Sequence, residues 1–385
     1  MLSFEFHNPT RIVFGKDTVV RLATLVPLDA RVLILYGGQS AEKTGTLAEV
    51  RAALGERTQF EFGGIEPNPS YETLLKAIEL VRAEKVDFLL AVGGGSIIDG
   101  SKFVAAAVPF SGDPWQILES FGGTVDSALP LGVVLTLPAT GSEMNDASVI
   151  TLKATKTKAF FKSAHVFPQF SILDPTKTYT LPARQLANGV VDAFTHVVEQ
   201  YLTYPVSAPV QDRFAEGLLQ TLIEIGPKVV KEPADYDTRA SLMWSASMAL
   251  NGLIAVGVPQ DWATHLIGHE LTSQFGLDHA QTLAVLLPSV LHIRQDSKRA
   301  KLLQFAERVW GIAEGGEDER IDLAIAKTRA FFESLGVKTR LADYGIPDYA
   351  IDGLVHQLEL HGMTKLGEHQ DVTLNVSRQI YQASL

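Results

Sequence analysis

Residues 87–107 read DFLLAVGGGSIIDGSKFVAAA. The run DFLLAV is too short for a helix and ends directly in Gly93-Gly94-Gly95-Ser96, which marks it as a buried strand. The small-residue stretch from Ile97 to Ala107 then reads as a helix. Glycines between a strand and a helix let the backbone approach a ligand closely, and the unpaired N–H groups of the helix start can hold a pyrophosphate. Asp99, placed in the first turn of that helix, suits the positive end of its dipole. The spacing is not G-x-G-x-x-G, and a tight turn with no ligand would look the same.

The same alternation extends on both sides. Residues 31–36 (RVLILY) form an apolar run that ends in Gly37-Gly38, and a helical stretch from Ser40 to Leu54 follows. Residues 70–84 have helical periodicity, with Ser70 as N-cap and Thr73 in the first turn. A further strand, LGVVLTL, ends at Pro138. The loop it enters, from Thr136 to Glu143, carries hydroxyls and a glycine where open α/β sheets bind ligands. Apolar strands alternating with helices predict a parallel sheet covered on both faces.

The pattern changes near Leu181-Pro182. Helical periodicity then dominates, over roughly 182–203, 207–230, 236–257, 259–275, 279–293, 297–311, 321–335 and 370–382. Pro182, Pro205, Pro233, Pro259 and Pro288 suit helix starts or breaks. The expected architecture is an α/β domain over 1–180 and an all-α domain over 181–385, as befits a chain of 385 residues.

Composition narrows the function. A net charge of −11 argues against nucleic acid and anionic membranes as partners. The absence of cysteine excludes disulfides, thiolate catalysis, iron–sulfur clusters and cysteine-based zinc sites. The start, MLSFEFHNPT, shows no signal peptide, and a cytoplasmic location is expected. The apolar stretch from Leu242 to Val258 is interrupted by Ser, Asn and Gly. It reads as a buried helix and not as a membrane span.

Asp192 and His196 lie four apart in NGVVDAFTHVVEQ, which puts both on one helix face. His265 and His269 are likewise four apart in DWATHLIGHE, and His279 follows in GLDHAQTL. A carboxylate with neutral imidazoles suits a divalent metal, Fe²⁺ or Zn²⁺. Asp192 and His196 would also make an ordinary helix ion pair, and isolated histidines are often core or surface residues. The HExxH order of zinc proteases is absent, because Glu270 follows the second histidine.

Taken together, FGGIEPNP, LLAVGGGSIIDGSKF, LTLPATGSE, ANGVVDAFTHVVEQY and GVPQDWATHLIGHELT resemble the iron-containing (group III) alcohol dehydrogenase family. Within it, they are most like the bacterial NADPH-dependent aldehyde reductases and butanol dehydrogenases. The resemblance covers essentially the whole chain. It implies a dehydroquinate synthase-like fold, with a dinucleotide-binding α/β domain, a helical domain and an active site in the crevice between them. It implies metal ligation by Asp192, His196, His265 and His279, with His269 close by. It places Gly94, Gly95 and Ser96 on the pyrophosphate with Asp99 near. It lines the rest of the cofactor site with Asn68, Thr136, Thr140, Ser142, Asn145 and Lys158.

Where NAD-preferring members carry an acidic residue, this chain has Gly37-Gly38-Gln39-Ser40, which favours NADP(H). The implied reaction is hydride transfer between NADP(H) and a small aldehyde or alcohol at one divalent metal. His269, a ribose hydroxyl or water are the candidate proton donors. A homodimer is expected. A glycerol-type polyol dehydrogenase of the same fold is the near alternative. A metallohydrolase, or a cofactor-binding protein without catalysis, is the distant one.

Overall fold

The structure is a computed structural model, and it describes residues 1–231 and 235–385. The chain forms two compact units. One is His7–Leu181 with Pro233–Ser247, and the other is Met1–Phe6 with Pro182–Glu232 and Met248–Leu385.

The first unit is built on a six-stranded sheet in the order β1-β8-β5-β4-β2-β3. Its strands are β1 (Arg11–Phe14), β2 (Arg31–Tyr36), β3 (Thr58–Phe62), β4 (Phe88–Gly94), β5 (Leu131–Leu137) and β8 (Phe170–Leu173). All the pairings are parallel. Side chains of successive strand residues point to opposite faces, and here both faces are dry. Leu33, Leu35, Leu89 and Ala91 pack with Leu74, Ala77, Ile78 and Val81 of the Tyr71–Glu84 helix and with the Gly95–Ala107 helix. Val32, Ile34, Leu90 and Val92 pack on the other side with Leu47, Val50 and Leu54. That double burial explains why β2 and β4 read as unbroken apolar runs. Strand order reverses around β2 and β4, and their C-terminal ends are the place where such sheets bind ligands.

Several local expectations hold. The Ser70 hydroxyl accepts the Thr73 N–H and caps the helix Tyr71–Glu84. Others change. The helix expected from Ser40 to Leu54 is two, Ser40–Lys43 and Thr46–Leu54, because Gly45 between them adopts φ +80°, a left-handed conformation that no right-handed helix can run through. The helix after β4 begins at Gly95, not Ile97, so Asp99 lies beyond its first turn. An antiparallel hairpin, β6 (Ala147–Leu152) with β7 (Thr157–Lys162), was not evident in the sequence because its residues mix polar and apolar without clean alternation.

The second unit is helical. Its main helices are Ala183–Tyr201, Pro209–Lys231, Ala263–Phe275, His279–Ile293, Gln295–Arg308, Glu317–Ser334, Ala350–Leu360 and Leu374–Ala383. Ile267, Leu271, Leu286, Leu354, Leu358 and Ile380 share one core, and the Tyr381 hydroxyl donates to the Ile267 carbonyl at 2.9 Å. The expected helix 236–257 stops at Ala249. Asn251 Oδ1 accepts the Leu253 N–H, and Gly252 at φ +90° turns the chain. The next helix starts at Ala263 and not at 259, since Trp262 at φ +65° precedes it. Pro288 does not break a helix but sits inside His279–Ile293, where it removes one hydrogen-bond donor. Pro233 lies outside the described residues. Among the described residues, no helix is long and apolar enough to cross a membrane.

Candidate active site

The helix Ala183–Tyr201 presents Asp192, His196 and Glu199 on one face, at spacings of four and three, and all three are buried. The helix Ala263–Phe275 brings His265. His279 is the first residue of its helix, which Asp278 and Gln281 close with a reciprocal capping box. Asp192 Oδ1 lies 3.5 Å from His196 Nε2, 3.8 Å from His265 Nε2 and 3.7 Å from His279 Nε2. Ligand atoms of Asp192, His265 and His279 lie within 4.8 Å of one another.

These separations are long for hydrogen bonds and close to the spacing of ligand atoms that share one small cation. Asp192 Oδ1 and His265 Nε2 are buried, and neither has a hydrogen-bond partner among the described residues. A buried carboxylate oxygen and a buried imidazole nitrogen left in this way are costly unless something sits between them. The donor set therefore fits a divalent metal.

Glu199 completes the arrangement, and sequence reasoning missed it. Its Oε2 hydrogen-bonds His265 Nδ1, and its Oε1 accepts the Thr264 N–H at 2.6 Å. A carboxylate on Nδ1 fixes the tautomer and turns the Nε2 lone pair toward Asp192. The signal was present in the sequence: Glu199 is seven residues after Asp192, two turns along the same face. Burial would push Asp192 up, but the surrounding imidazoles outweigh it and hold the carboxyl well below its usual range. Burial pushes His196 down to about 4, so its ring is neutral at pH 7. His265 is also pushed down by burial, yet Glu199 and Asp192 more than compensate and raise it to about 9. His269 is half-buried on the same helix as His265, with its ring 5.9 Å from that of His279. Glu199→Gln should weaken metal affinity about 10- to 100-fold with the fold retained. A competition titration against a chromophoric chelator measures this, and unchanged affinity would remove Glu199 from the site.

The residues expected at the dinucleotide cluster around the C-terminal ends of β2, β4 and β5. Gly37, Gly38 and Gln39 line a cavity together with Tyr36, Glu42 and Arg51, and Ser40 is exposed at the start of a short helix beside it. Gly94 ends β4, and Gly95 and Ser96 open the following helix. A Cβ on Gly95 would lie 2.3 Å from Thr140 Oγ1, so only glycine lets the two loops come this close. The Asn68 N–H donates to Ser96 Oγ at 3.3 Å, and Lys158 Nζ donates to Asn68 Oδ1 at 3.0 Å. Thr136 is half-buried near the end of β5.

Asp99, Ser142 and Asn145 join a polar network under these loops. Ser142 Oγ donates to Asp99 Oδ1 at 2.5 Å, and the Val149 N–H donates to Asp99 Oδ2 at 3.0 Å. At its centre is Lys102, fully buried, which donates to Ser142 Oγ, Asn145 Oδ1 and the Ala147 carbonyl at 2.9–3.0 Å. Burial lowers its pKa to about 8 against the pull of Asp99, Asp146 and Glu143. Lys102 was also missed; a lone lysine in a helix of small and apolar residues was its only mark.

Family models match almost the whole chain. That of iron-containing alcohol dehydrogenase covers residues 9–175, and the C-terminal model of the Fe-containing alcohol dehydrogenase family covers 186–384. The chain belongs to the iron-containing alcohol dehydrogenase family. Among family members, it is 62% identical to the NADPH-dependent aldehyde reductase YqhD of Escherichia coli, over the full length of both chains. It is 40% identical, again over both full lengths, to a probable NADH-dependent butanol dehydrogenase of Bacillus subtilis. The crystal structure of Escherichia coli YqhD superposes with a TM-score of 0.99 at 61% identity, covering 100% of this chain and 99% of that one. The NADH-dependent butanol dehydrogenase A of Thermotoga maritima gives 0.95 at 34% identity, with the same coverage. The parallel-sheet α/β portion and the helical portion are those of the family.

Proposed function

We propose that this protein reduces small aldehydes to alcohols, and catalyses the reverse, with NADP(H) as hydride carrier and one divalent metal, Fe²⁺ or Zn²⁺. The observation that carries the reading is the convergence of buried Asp192 and His265 with half-buried His279, with Glu199 behind His265. The likeness to an NADPH-dependent aldehyde reductase supports the cofactor and the substrate class. Asp192, His196, His265 and His279 hold the metal, which when bound polarises a carbonyl oxygen as a Lewis acid. The backbone around Gly94, Gly95 and Ser96 takes the pyrophosphate, with Asn68, Thr136, Thr140 and Lys158 around the dinucleotide. Asp99, Ser142 and Asn145, locked to one another and to Lys102, hold the two loops in place. His269, whose ring lies 5.9 Å from that of His279, would supply the proton of the product alcohol, with a ribose hydroxyl or water as the other candidates. The chain works as a cytoplasmic homodimer, with its two domains divided near residue 181 except that Met1–Phe6 groups with the helical unit and Pro233–Ser247 with the α/β unit.

The test is NADPH consumption with a panel of small aldehydes, on protein of measured metal content. Turnover of aldehydes with NADPH, at higher kcat/KM than with NADH, is expected; failure to turn over any aldehyde would overturn the reading. The cofactor preference has its own probe. A Cβ on Gly38 would meet nothing within 4 Å, so Gly38→Asp should fold normally. Its carboxylate would face a 2′-phosphate across the cavity, a repulsion of about 1–3 kcal/mol. The ratio of kcat/KM for NADPH over NADH should fall roughly 10- to 100-fold, and a steady-state comparison of the two cofactors reads it.

A further inference from the structure

The stretch Gly37–Ser40 is free of carboxylates, yet the cavity it borders is not. Glu42, two residues beyond Ser40, lines the same cavity, and so does Arg51, which projects from the helix Thr46–Leu54. Arg51 does not stand alone there. Its Nη1 and Nη2 donate to Glu42 Oε1 and Oε2 at 3.1 and 2.8 Å. Its Nε and Nη2 donate to Glu61 Oε1 and Oε2, near the end of β3, at 2.7 and 2.9 Å. A guanidinium has five N–H donors. Four are used in two bidentate forks, and one on Nη1 is left.

The three side chains are partly exposed, at 35% for Arg51, 54% for Glu42 and 33% for Glu61. An isolated pair at such exposure contributes little, but a doubly bidentate guanidinium is the geometry that holds its partners in place. Its effect on a ligand is larger than its effect on stability. With Arg51 present, the group carries a net −1 and both carboxylates are turned onto the guanidinium. Without it, the group carries −2, and the Glu42 carboxylate is free in the cavity beside Gly37–Ser40.

We infer that Arg51 decides whether this cavity accepts a ribose 2′-phosphate: by engaging Glu42 and Glu61 together it withholds two carboxylates that would otherwise repel a phosphate monoester and accept hydrogen bonds from a bare ribose diol. The inference rests on the reading of the cavity as the adenosine end of the NADP(H) site. It places the specificity of that site on a residue eleven positions beyond the glycine loop, visible only once β3 and the helix Thr46–Leu54 are folded against it.

The experiment uses two fragments of the cofactor, adenosine 2′,5′-bisphosphate and adenosine 5′-monophosphate, titrated calorimetrically into the full chain. Wild type should bind the bisphosphate more tightly. Arg51→Met should weaken the bisphosphate about 10- to 100-fold and leave the monophosphate within about twofold, which also reports that the variant is folded. The triple variant R51M/E42Q/E61Q, with the carboxylates neutralised as well, should return to within about threefold of wild type, because the penalty comes from uncompensated charge and not from a lost contact. Equal discrimination by wild type and R51M overturns the inference and spares the NADP(H) reading. A triple variant as weak as R51M overturns it too, since Arg51 would then touch the phosphate directly. A wild type that does not discriminate overturns the NADP(H) reading, and the inference with it.

Discussion

His265→Ala is expected to lose bound metal and nearly all turnover while keeping its fold and its affinity for NADPH. His265 Nε2 is a buried nitrogen facing Asp192 Oδ1, and Glu199 fixes its orientation from the other side of the ring. Truncation removes one of the proposed ligands and leaves Glu199 Oε2 without its partner, at a structural cost of roughly 1–3 kcal/mol. That is a tolerable fraction of a domain's stability. The loops proposed to hold the dinucleotide follow β2, β4 and β5, which belong to the other compact unit, so NADPH binding should persist. Turnover should fall by about 10³-fold or more, because the group that stabilises the developing alkoxide is the one lost. His269→Ala is the contrasting variant. It should keep its metal and lose less activity, since water can take over a proton transfer. Metal analysis of both purified variants, with NADPH fluorescence titration, separates them. Full metal content and normal turnover in His265→Ala would overturn the assignment of the metal site to these residues.

Lys298→Met should destabilise the protein strongly, by about 3–5 kcal/mol. Lys298 is only 2% exposed and donates to Asp261 at 2.9 Å, Glu368 at 2.7 Å and the Leu202 carbonyl at 2.7 Å. Burial opposes its charge, but the two carboxylates outweigh that and raise its pKa. Removing the ammonium strands both carboxylates in the interior. The damage would also reach the active site. Asp261 Oδ1 accepts the Ala263 N–H at the start of the helix that carries His265, and the Asp261 N–H donates to the Glu199 carbonyl. The expected result is a lower urea midpoint with weakened metal binding. Arg299→Ala offers the control. Arg299 pairs with Glu317 and Asp318 at the surface, and its loss should leave the urea midpoint close to that of wild type.

The sequence revealed those parts of the fold where one physical signal acted alone. β2 and β4 are unbroken apolar runs because both faces of the sheet are covered, and the Ser70 cap follows from a hydroxyl before a periodic segment. Boundaries failed where a single backbone torsion decided them. Gly45, Gly252 and Trp262 take positive φ, which periodicity cannot register. The short strands β1 and β8 depend on pairing partners far away in the chain, and the β6–β7 hairpin mixes polar and apolar residues without clean alternation, so their own residues carry little signal. In the site, spacing on one helix brought Asp192 and His196 to notice. Glu199, Lys102 and Arg51 went unnoticed because a charged residue is assumed to face water until the partner that buries or engages it is known. The Glu42–Arg51–Glu61 group shows the same limit: the loop Gly37–Ser40 read as free of charge, and the folded cavity around it is not.

Aldehyde reduction should depend on a divalent metal held by Asp192 and the histidines around it. That dependence is tested most directly by stripping the protein with a chelator and returning Fe²⁺ or Zn²⁺ stepwise, while NADPH absorbance is followed with a small aldehyde present. Turnover should be negligible at the start and rise in proportion to bound metal, with a break at one ion per chain. Undiminished turnover of the stripped protein, or activity indifferent to the metal returned, would mean that the reaction does not depend on this metal.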